Sequence, residues 1–227
     1  MPFIDRVDVG RRLAGKVRHL RGEDVVVLGL PRGGVQVAFE VARELGAPLD
    51  VLVVRKLGVS FQPEVAMGAV GEGDVLVMIE PVVRRAHVSK AELAEIERRA
   101  RSELDRRVQQ LRRDRPRLAL TGRTVVLVDD GIATGATVRA ACQVARAQGA
   151  SRVVVAVPVC SPDTAERLRK EVDELVCLES PAWFFGVGQF YADFRQVSDD
   201  EVVDLLRRAA DEEPTVAGAA DPPLRND

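Results

Sequence analysis

The chain has 227 residues, 46% apolar and 30% charged, which is enough to bury a hydrophobic core and is the composition of an ordinary globular domain. Its formal net charge of −2 gives no general attraction to nucleic acid or to acidic membranes. The N-terminus does not resemble a signal peptide, the apolar runs are too short to span a bilayer, and the three cysteines lack metal-site spacing, so we expect a cytoplasmic protein with reduced cysteines.

Helix and strand patterns alternate in the first part of the chain. Apolar residues repeat at helical spacing from Asp5 to about Leu20 and predict the first helix. Residues 23–34 predict a short strand that leads into the turn "LPRGG". Residues 34–46 predict an amphipathic helix, and residues 48–58 predict a second buried strand that ends in two cations.

A Gly-rich segment and a long helix follow. Residues 59–72 are expected to be irregular, and residues 74–80 predict a strand. From 89 to 113 the pattern is that of one long helix, which starts with a capping box of Ser89 and Glu92. Its narrow apolar stripe and interleaved charges predict a solvated helix inserted into the domain. The expected i,i+4 ion pairs are Glu95–Arg99, Glu97–Arg101 and Glu103–Arg107.

The remainder alternates between strands made of continuous Val and Leu runs and amphipathic helices, the last of which starts at Ser198. Such strands are typical of a parallel sheet that is buried on both faces. We therefore predict an α/β fold, a parallel twisted sheet with helices on both faces. The predicted domain spans 1–210 and includes a small hood subdomain at about 180–197, whereas 211–227 has little to bury and is expected to be disordered.

The segment "VVLVDDGIATGAT", residues 125–137, carries the sharpest functional signal. Ligands of parallel α/β sheets bind at the carboxyl ends of the strands, where Asp129 and Asp130 fall. The Thr-Gly loop that follows enters a helix, and a helix start suits a phosphate. Two hydroxyl acceptors and a phosphate cradle match the two ends of ribose 5-phosphate. A phosphotransfer aspartate pair is an alternative, but it leaves the loop unexplained.

This segment resembles the signature of the type I phosphoribosyltransferases along its full length. The resemblance implies 5-phosphoribosyl-1-pyrophosphate (PRPP) as the ligand, with Asp129 and Asp130 holding the ribose hydroxyls. It also implies a binding segment for the 5-phosphate, formed by Ala133, Thr134, Gly135, Ala136 and Thr137.

Two further segments offer groups for the pyrophosphate. In "LPRGG", Gly33 and Gly34 permit a tight nest of N–H groups and Arg32 adds a charge. In "VVRKLG", Arg55 and Lys56 place two cations at the expected end of a strand. The resemblance implies that both segments bind pyrophosphate, that residues 59–72 close over the substrate, and that Mg²⁺ is the cofactor. The predicted catalytic residues are Asp129, Asp130, Arg32 and Lys56.

Aromatic residues concentrate in 180–194, which the resemblance identifies as a hood over the acceptor base. The predicted acceptor-binding residues are Phe185, Phe190, Tyr191 and Asp193, and Asp193 is also the candidate Mg²⁺ ligand. Ala133 departs from the family pattern, because purine-salvage members often carry an acid there that takes a proton from the base.

These features predict a Mg²⁺-dependent transferase that moves the 5-phosphoribosyl group from PRPP to a nitrogenous base. The alternative is a PRPP-sensing regulator of transcription or RNA. A third hypothesis is a hydrolase-like use of the same pocket, or a subunit that works with a partner enzyme. The expected partners are PRPP and a base, without nucleic acid or membrane, and a homodimer is common among relatives.

Overall fold

Strands and helices alternate along the chain, as the sequence predicts. The structure, a computed structural model, describes residues 2–59 and 62–212. Its strands are β1 (Val25–Gly29), β2 (Leu49–Val51), β3 (Val54–Val59), β4 (Gln62–Gly71), β5 (Val75–Met78), β6 (Thr124–Val128), β7 (Arg152–Val159) and β8 (Glu174–Glu179). Its α-helices are α1 (Arg6–Lys16), α2 (Gly33–Leu45), α3 (Glu80–Ala86), α4 (Lys90–Arg112), α5 (Ala136–Ala147), α6 (Pro162–Leu168) and α7 (Asp199–Glu212).

A five-stranded parallel sheet in the order β2-β1-β6-β7-β8 lies at the centre of the fold. Its inner strands are continuous apolar runs because side chains on both faces are buried. In β1, Val25 and Val27 pack into one core with α1, α2 and α7, whereas Val26 and Leu28 pack into a second core with α5 and α6. The predicted α/β fold with helices on both faces is therefore confirmed.

Local capping contacts fix three of the predicted helix boundaries. Asp5 accepts the Asp8 N–H at 2.8 Å and caps α1. Gly46 ends α2 in the left-handed conformation that glycine adopts readily. At the start of α7 the Ser198 N–H donates to Glu201 at 2.7 Å, and the Glu201 N–H donates back to Ser198 at 3.1 Å. This reciprocal pair is the predicted capping box.

The segment predicted as one strand over residues 48–58 consists of two strands in different sheets, which corrects that prediction. β2 ends at Val51, and β3 begins at Val54 in a separate antiparallel sheet of order β3-β4-β5. The break leaves no mark in the sequence, because Leu52 and Val53 between the strands are apolar like Val51 and Val54 on either side of them.

Most of the segment 59–72 forms β4, although its glycines predict irregular backbone. β4 is the middle strand of the small sheet and pairs with both β3 and β5. The ladder hydrogen bonds to two neighbours override the low strand propensity of glycine, so that prediction is also wrong. Residues 60 and 61 lie outside the described residues.

The inserted helix α4 is docked on the protein rather than merely solvated. The side chains of Ala100, Leu104 and Leu111 are buried, and α4 packs on β3, β4 and α7. Ser89 accepts the Glu92 N–H at 3.2 Å, so the predicted cap is confirmed. A narrow apolar stripe is thus sufficient to seat the helix.

Two of the three ion pairs predicted along α4 are confirmed, Glu95–Arg99 and Glu97–Arg101. The third prediction is wrong, because both of its members reach to other elements. Glu103 pairs with Arg55 of β3, and Arg107 pairs with Asp199 of α7 at 2.6 Å.

The remaining predictions concern compartment, thiols and termini. No helix in the described part of the chain is long and apolar enough to cross a membrane. The cysteines are free, and burial raises the pKa of Cys142 and Cys160 to about 12, so neither is a ready nucleophile. Of the predicted tail 211–227, Asp211 and Glu212 form the end of α7, and the rest lies outside the described residues.

Candidate active site

Two adjacent carboxylates follow β6 at the carboxyl edge of the parallel sheet. Asp129 and Asp130 are half-buried there, beside the turn that follows β1. Asp129 Oδ1 accepts the backbone N–H of Asp130 at 2.9 Å, and Asp130 Oδ2 accepts from Arg6 Nε at 2.8 Å. Within the described residues, Asp129 Oδ2 and Asp130 Oδ1 accept no hydrogen bond, so each carboxylate has one oxygen left for a ligand.

Arg6 is a site residue that the sequence reasoning missed. Its side chain is 7% exposed, and Nη2 also lies 2.8 Å from Asp130 Oδ2. Nη1 donates to the Arg195 carbonyl at 2.8 Å, and the guanidinium carbon lies 4.0 Å from the centre of the Phe194 ring. Arg6 thus joins α1, the acid pair and the hood segment. The signal was available, since Arg6 falls three residues before Val9 on the buried stripe of its helix.

Burial dominates the electrostatics of the acid pair. Removal from water raises the pKa of Asp129 well above its ordinary value, and the neighbouring charge of Asp130 raises it further. Burial also raises the pKa of Asp130, and Arg6 opposes that rise. A ligand that donates hydroxyl hydrogens, or that brings a cation, would favour the ionised carboxylates.

The "LPRGG" turn brings the start of α2 against the acids. The Pro31–Arg32 peptide bond is cis. A Cβ on Gly33 would collide with the carboxylate of Asp130, and a Cβ on Gly34 would lie 2.7 Å from the Val128 carbonyl. The two glycines therefore permit this close approach. The first N–H groups of α2 have no partners inside the helix and are available near the acids.

Side chains at the start of α6 hold the loop that follows the acid pair. Ser161 and Thr164 both donate their hydroxyls to the Ala133 carbonyl, at 2.9 and 2.8 Å. Gly135 has φ +76°, and a Cβ there would lie 2.6 Å from Thr164 Cγ2. α5 begins directly afterwards at Ala136, so the first N–H groups of a helix open at this loop, an arrangement that suits a phosphate.

The predicted loop residues with hydroxyls are accessible. Thr134 and Thr137 are exposed, one on each side of Gly135. The segment from Ala133 to Thr137 therefore gathers the predicted groups in one place, and its role in binding a 5-phosphate stays a prediction.

A cavity of about 320 Å³ adjoins this edge of the sheet. Pro31, Arg55 and Thr137 line it, so it brings together parts of three segments that the sequence singles out. Its lining also includes Arg106 and Arg107 of α4, which the sequence reasoning missed because it treated that helix as solvated.

The two predicted cations of "VVRKLG" are placed differently from expectation. Arg55 and Lys56 lie within β3, not at the end of a strand of the parallel sheet. Arg55 lines the cavity of about 320 Å³, and Arg55 and Lys56 both line a second, more open cavity beside Arg99. Arg32 follows the lining residue Pro31, and its Nη1 lies 3.8 Å from Asp199 Oδ1.

The hood segment exposes large aromatic side chains. Phe185 is 88% exposed and Trp183 is 80% exposed. Phe190 is half-buried, and its ring centre lies 5.2 Å from that of Phe184. Phe185 and Phe190 therefore have surface available to a ring, and Trp183 adds a candidate that the sequence reasoning did not name.

Tyr191 and Asp193 are engaged within the protein. Tyr191 is buried, and its hydroxyl donates to the Asp130 carbonyl at 2.6 Å, so the side chain ties the hood to the acid pair rather than facing a ligand ring. The carboxylate of Asp193 accepts the Arg195 N–H at 3.0 Å. Asp193 also shares a small cavity with Arg6.

Known proteins resemble this chain over almost its whole length. A family model described as the phosphoribosyl transferase domain matches residues 5–195. Two Mycobacterium tuberculosis proteins with provisional phosphoribosyl transferase names, from strains CDC 1551 / Oshkosh and ATCC 25618 / H37Rv, are 58% identical over 228 residues, covering 99% of this chain and 52% of each relative. The chain thus spans about half the length of these relatives. The crystal structure of TT1426 from Thermus thermophilus has a TM-score of 0.85 at 48% identity, covering 92% of this chain and 99% of that one. The chain therefore belongs to the phosphoribosyl transferase domain family, of the type I group that its acid pair and Thr-Gly loop resemble.

Proposed function

We propose that this chain is a phosphoribosyltransferase that moves the 5-phosphoribosyl group of PRPP to a nitrogenous base and releases pyrophosphate. The observation that carries the proposal is the meeting of three elements at one edge of the sheet. These are the acid pair, the glycine turn that opens α2 and the loop that opens α5. They offer hydroxyl acceptors between two anion-binding helix starts, and PRPP is a diol between a phosphate and a diphosphate.

Each element has one role in holding the sugar. The open oxygens of Asp129 and Asp130 accept hydrogen bonds from the 2′ and 3′ hydroxyls. The 5-phosphate accepts from the first N–H groups of α5 and from the hydroxyls of Thr134 and Thr137. Loop and acids lie on one short, ordered segment, so the sugar is held at both ends in a fixed orientation.

The reaction breaks the bond from C1 to the diphosphate oxygen and forms the bond from C1 to the acceptor nitrogen. The electron pair of the broken bond leaves with the diphosphate, so stabilising that charge should dominate catalysis. Arg32, Arg55 and the N–H groups of Gly33 and Gly34 are the groups that we assign to it. Lys56 stays a predicted contributor.

The residues present fit Mg²⁺ that arrives with its substrate. Within the described residues no group of three or more His, Cys, Asp or Glu side chains could hold a metal ion. Mg²⁺ commonly binds through one or two carboxylates together with substrate phosphates. Asp129 and Asp130 would supply the carboxylates, and Asp193 stays a second candidate. Bound Mg²⁺ would neutralise charge on the leaving diphosphate.

The acceptor base binds under the hood in this proposal. Phe185 and Phe190 offer ring faces, with Trp183 nearby, and stacking on such faces suits a flat heterocycle. Ala133 supplies no proton acceptor, so the base must lose its proton to another group or to water.

Titration calorimetry with PRPP and Mg²⁺ tests the shared ligand. We expect Asp129→Asn to weaken PRPP binding by about tenfold or more, because a charge-assisted hydrogen bond to ribose is lost. The Asn can still accept the Asp130 N–H, so the fold should persist. Asp204→Asn, an exposed carboxamide swap on α7, is the matched control. An unchanged affinity of Asp129→Asn, or an equal loss in both variants, would contradict the assigned ribose role.

A PRPP-sensing regulator is the second candidate, and Ala133 is the observation that favours it. A sensor needs the ligand site but no proton acceptor beside the base. Pyrophosphate release across a panel of purine, pyrimidine and other nitrogenous bases separates the two functions. Turnover with any base supports the transferase, and PRPP binding without turnover on the whole panel supports the sensor.

A further inference from the structure

The inserted helix α4 forms one wall of the cavity of about 320 Å³ at the carboxyl edge of the sheet. The lining also includes Pro31 and Arg55, from the two segments assigned to the diphosphate, and Thr137 from the phosphate loop. α4 contributes Arg106 and Arg107, one turn beyond Glu103. The helix that the sequence predicts as an insertion therefore contributes to the lining of the proposed substrate site.

Positive charge predominates around this cavity. Three arginines, Arg55, Arg106 and Arg107, line it together with one carboxylate, that of Glu103, and a fourth arginine, Arg32, follows the lining residue Pro31. Glu103 pairs with Arg55. A single carboxylate serves two further arginines, because Asp199 Oδ2 lies 2.6 Å from Arg107 and its Oδ1 lies 3.8 Å from Arg32.

Two features of these arginines leave them able to bind a further anion. Within the described residues Arg106 has no ion pair or hydrogen bond, and its side chain is exposed at the cavity. Within the same residues Asp199 Oδ1 is buried and accepts no hydrogen bond, so its ion pair with Arg32 at 3.8 Å is not hydrogen-bonded. The arginines are positioned by carboxylates but not saturated by them, which suits a ligand with several negative charges.

We propose that Arg106 and Arg107 of α4 bind the diphosphate of PRPP and the pyrophosphate product. The inference rests on the proposed function, since it assigns the substrate group that meets α4. Guanidinium groups bind phosphate oxygens in a planar, bidentate manner, and Arg106 and Arg107 both line the cavity where the diphosphate would lie. Diphosphate oxygens then take over from Glu103 and Asp199 as the partners of the arginines.

Calorimetry on Arg106→Gln and Arg107→Gln tests the assignment, with PRPP, inorganic pyrophosphate and ribose 5-phosphate as separate probes, the first two with Mg²⁺. We expect affinity for PRPP and pyrophosphate to fall by about tenfold or more in each variant, while ribose 5-phosphate affinity changes by less than about twofold. Arg98→Gln is the matched control, because Arg98 lies on the same helix and, among the described residues, pairs only with Glu95.

The outcomes separate this inference from the proposed function. If the wild-type chain binds neither PRPP nor pyrophosphate, the proposed function fails. If the wild type binds PRPP and Asp129→Asn weakens it, but Arg106→Gln and Arg107→Gln behave like Arg98→Gln, only the role of α4 is overturned. Equal losses for all three probes would indicate general attraction of anions and would also overturn it. Arg107→Gln removes the ion pair with Asp199 of α7 and could unfold the chain. Arg106 has no partner within the described residues, so the result for Arg106→Gln decides the question if Arg107→Gln does not fold.

Discussion

At the scale of single residues, Arg6 is the side chain on which the acid pair depends. Both of its nitrogens near Asp130 approach the same oxygen, Oδ2, which leaves Oδ1 open to a ligand. Arg6 therefore favours the ionised form of a buried carboxylate without occupying it fully. Its further contacts to the Arg195 carbonyl and the Phe194 ring fix its position. It is a positioning residue for Asp130, supplied by the N-terminal helix.

We expect Arg6→Met to lower the free energy of unfolding by about 3 kcal/mol at pH 7.5, because Asp130 is left buried and unpaired. Without Arg6 the pKa of Asp130 rises further. Above that pKa the folded protein must hold an unpaired carboxylate, which lowers its stability. As the pH falls through that pKa the carboxyl becomes protonated, and the loss of stability becomes smaller. Urea unfolding at pH 7.5 and at pH 5 should therefore show a smaller deficit at the lower pH. Arg12→Met, which removes a solvated pair on the same helix, should change stability by less than about 1 kcal/mol. A deficit that does not depend on pH would contradict this account.

At the scale of elements, the turn between β6 and α5 is shaped by its neighbour α6. Gly135 adopts φ +76° with its α-carbon hydrogen facing Thr164, whose hydroxyl meanwhile holds the Ala133 carbonyl. The same threonine therefore both anchors the loop and limits the side chain that the loop can carry at Gly135.

Gly135→Ala should weaken binding of ribose 5-phosphate by about tenfold or more, because the turn must open to admit a methyl group in a left-handed conformation. The double variant Gly135→Ala with Thr164→Ser removes the methyl that the new Cβ meets while keeping the hydroxyl. It should recover part of the loss, and the backbone penalty of about 1–2 kcal/mol should remain. Calorimetry with ribose 5-phosphate measures both. Thr164→Ser alone is the control, and wild-type affinity in Gly135→Ala would show that the loop does not hold the phosphate.

The same elements show how far the sequence leads. The five parallel strands and the acid pair were predictable, because continuous apolar runs and a strand-end motif are local patterns. The split of residues 48–58 between two sheets was not predictable, because Leu52 and Val53, which separate the two strands, continue the same apolar run. Helical spacing places Glu103 and Arg107 within reach of each other, but in the fold Glu103 pairs with Arg55 and Arg107 pairs with Asp199. Charges on a helix reveal their partners only when the surrounding fold is known.

At the scale of the whole molecule, a buried ion cluster connects three parts of the chain. Arg112 at the end of α4 donates to Asp50 of β2 at 3.1 Å and to Glu72, which follows β4. It also donates to the Val51 carbonyl at 2.9 Å. The side chains of Arg112, Asp50 and Glu72 are all at most 9% exposed. One guanidinium therefore holds the inserted helix to both sheets. The same contact keeps Arg106 and Arg107 of that helix at the cavity.

We expect Arg112→Met to destabilise the protein by about 3–5 kcal/mol, because two carboxylates are left buried without a counter-charge. Urea unfolding provides the measurement, and hydrogen exchange should show faster exchange in α4 and β4 together, since one contact secures both. Arg113→Met is the matched control: its side chain is 59% exposed and pairs with Asp200, so it should change stability by less than about 1 kcal/mol. Adding Asp50→Asn and Glu72→Gln to Arg112→Met removes the unpaired charges and should restore part of the stability. If Arg112→Met is no less stable than Arg113→Met, the cluster does not dock α4, and the position of Arg106 and Arg107 over the cavity must depend on the apolar stripe of the helix alone.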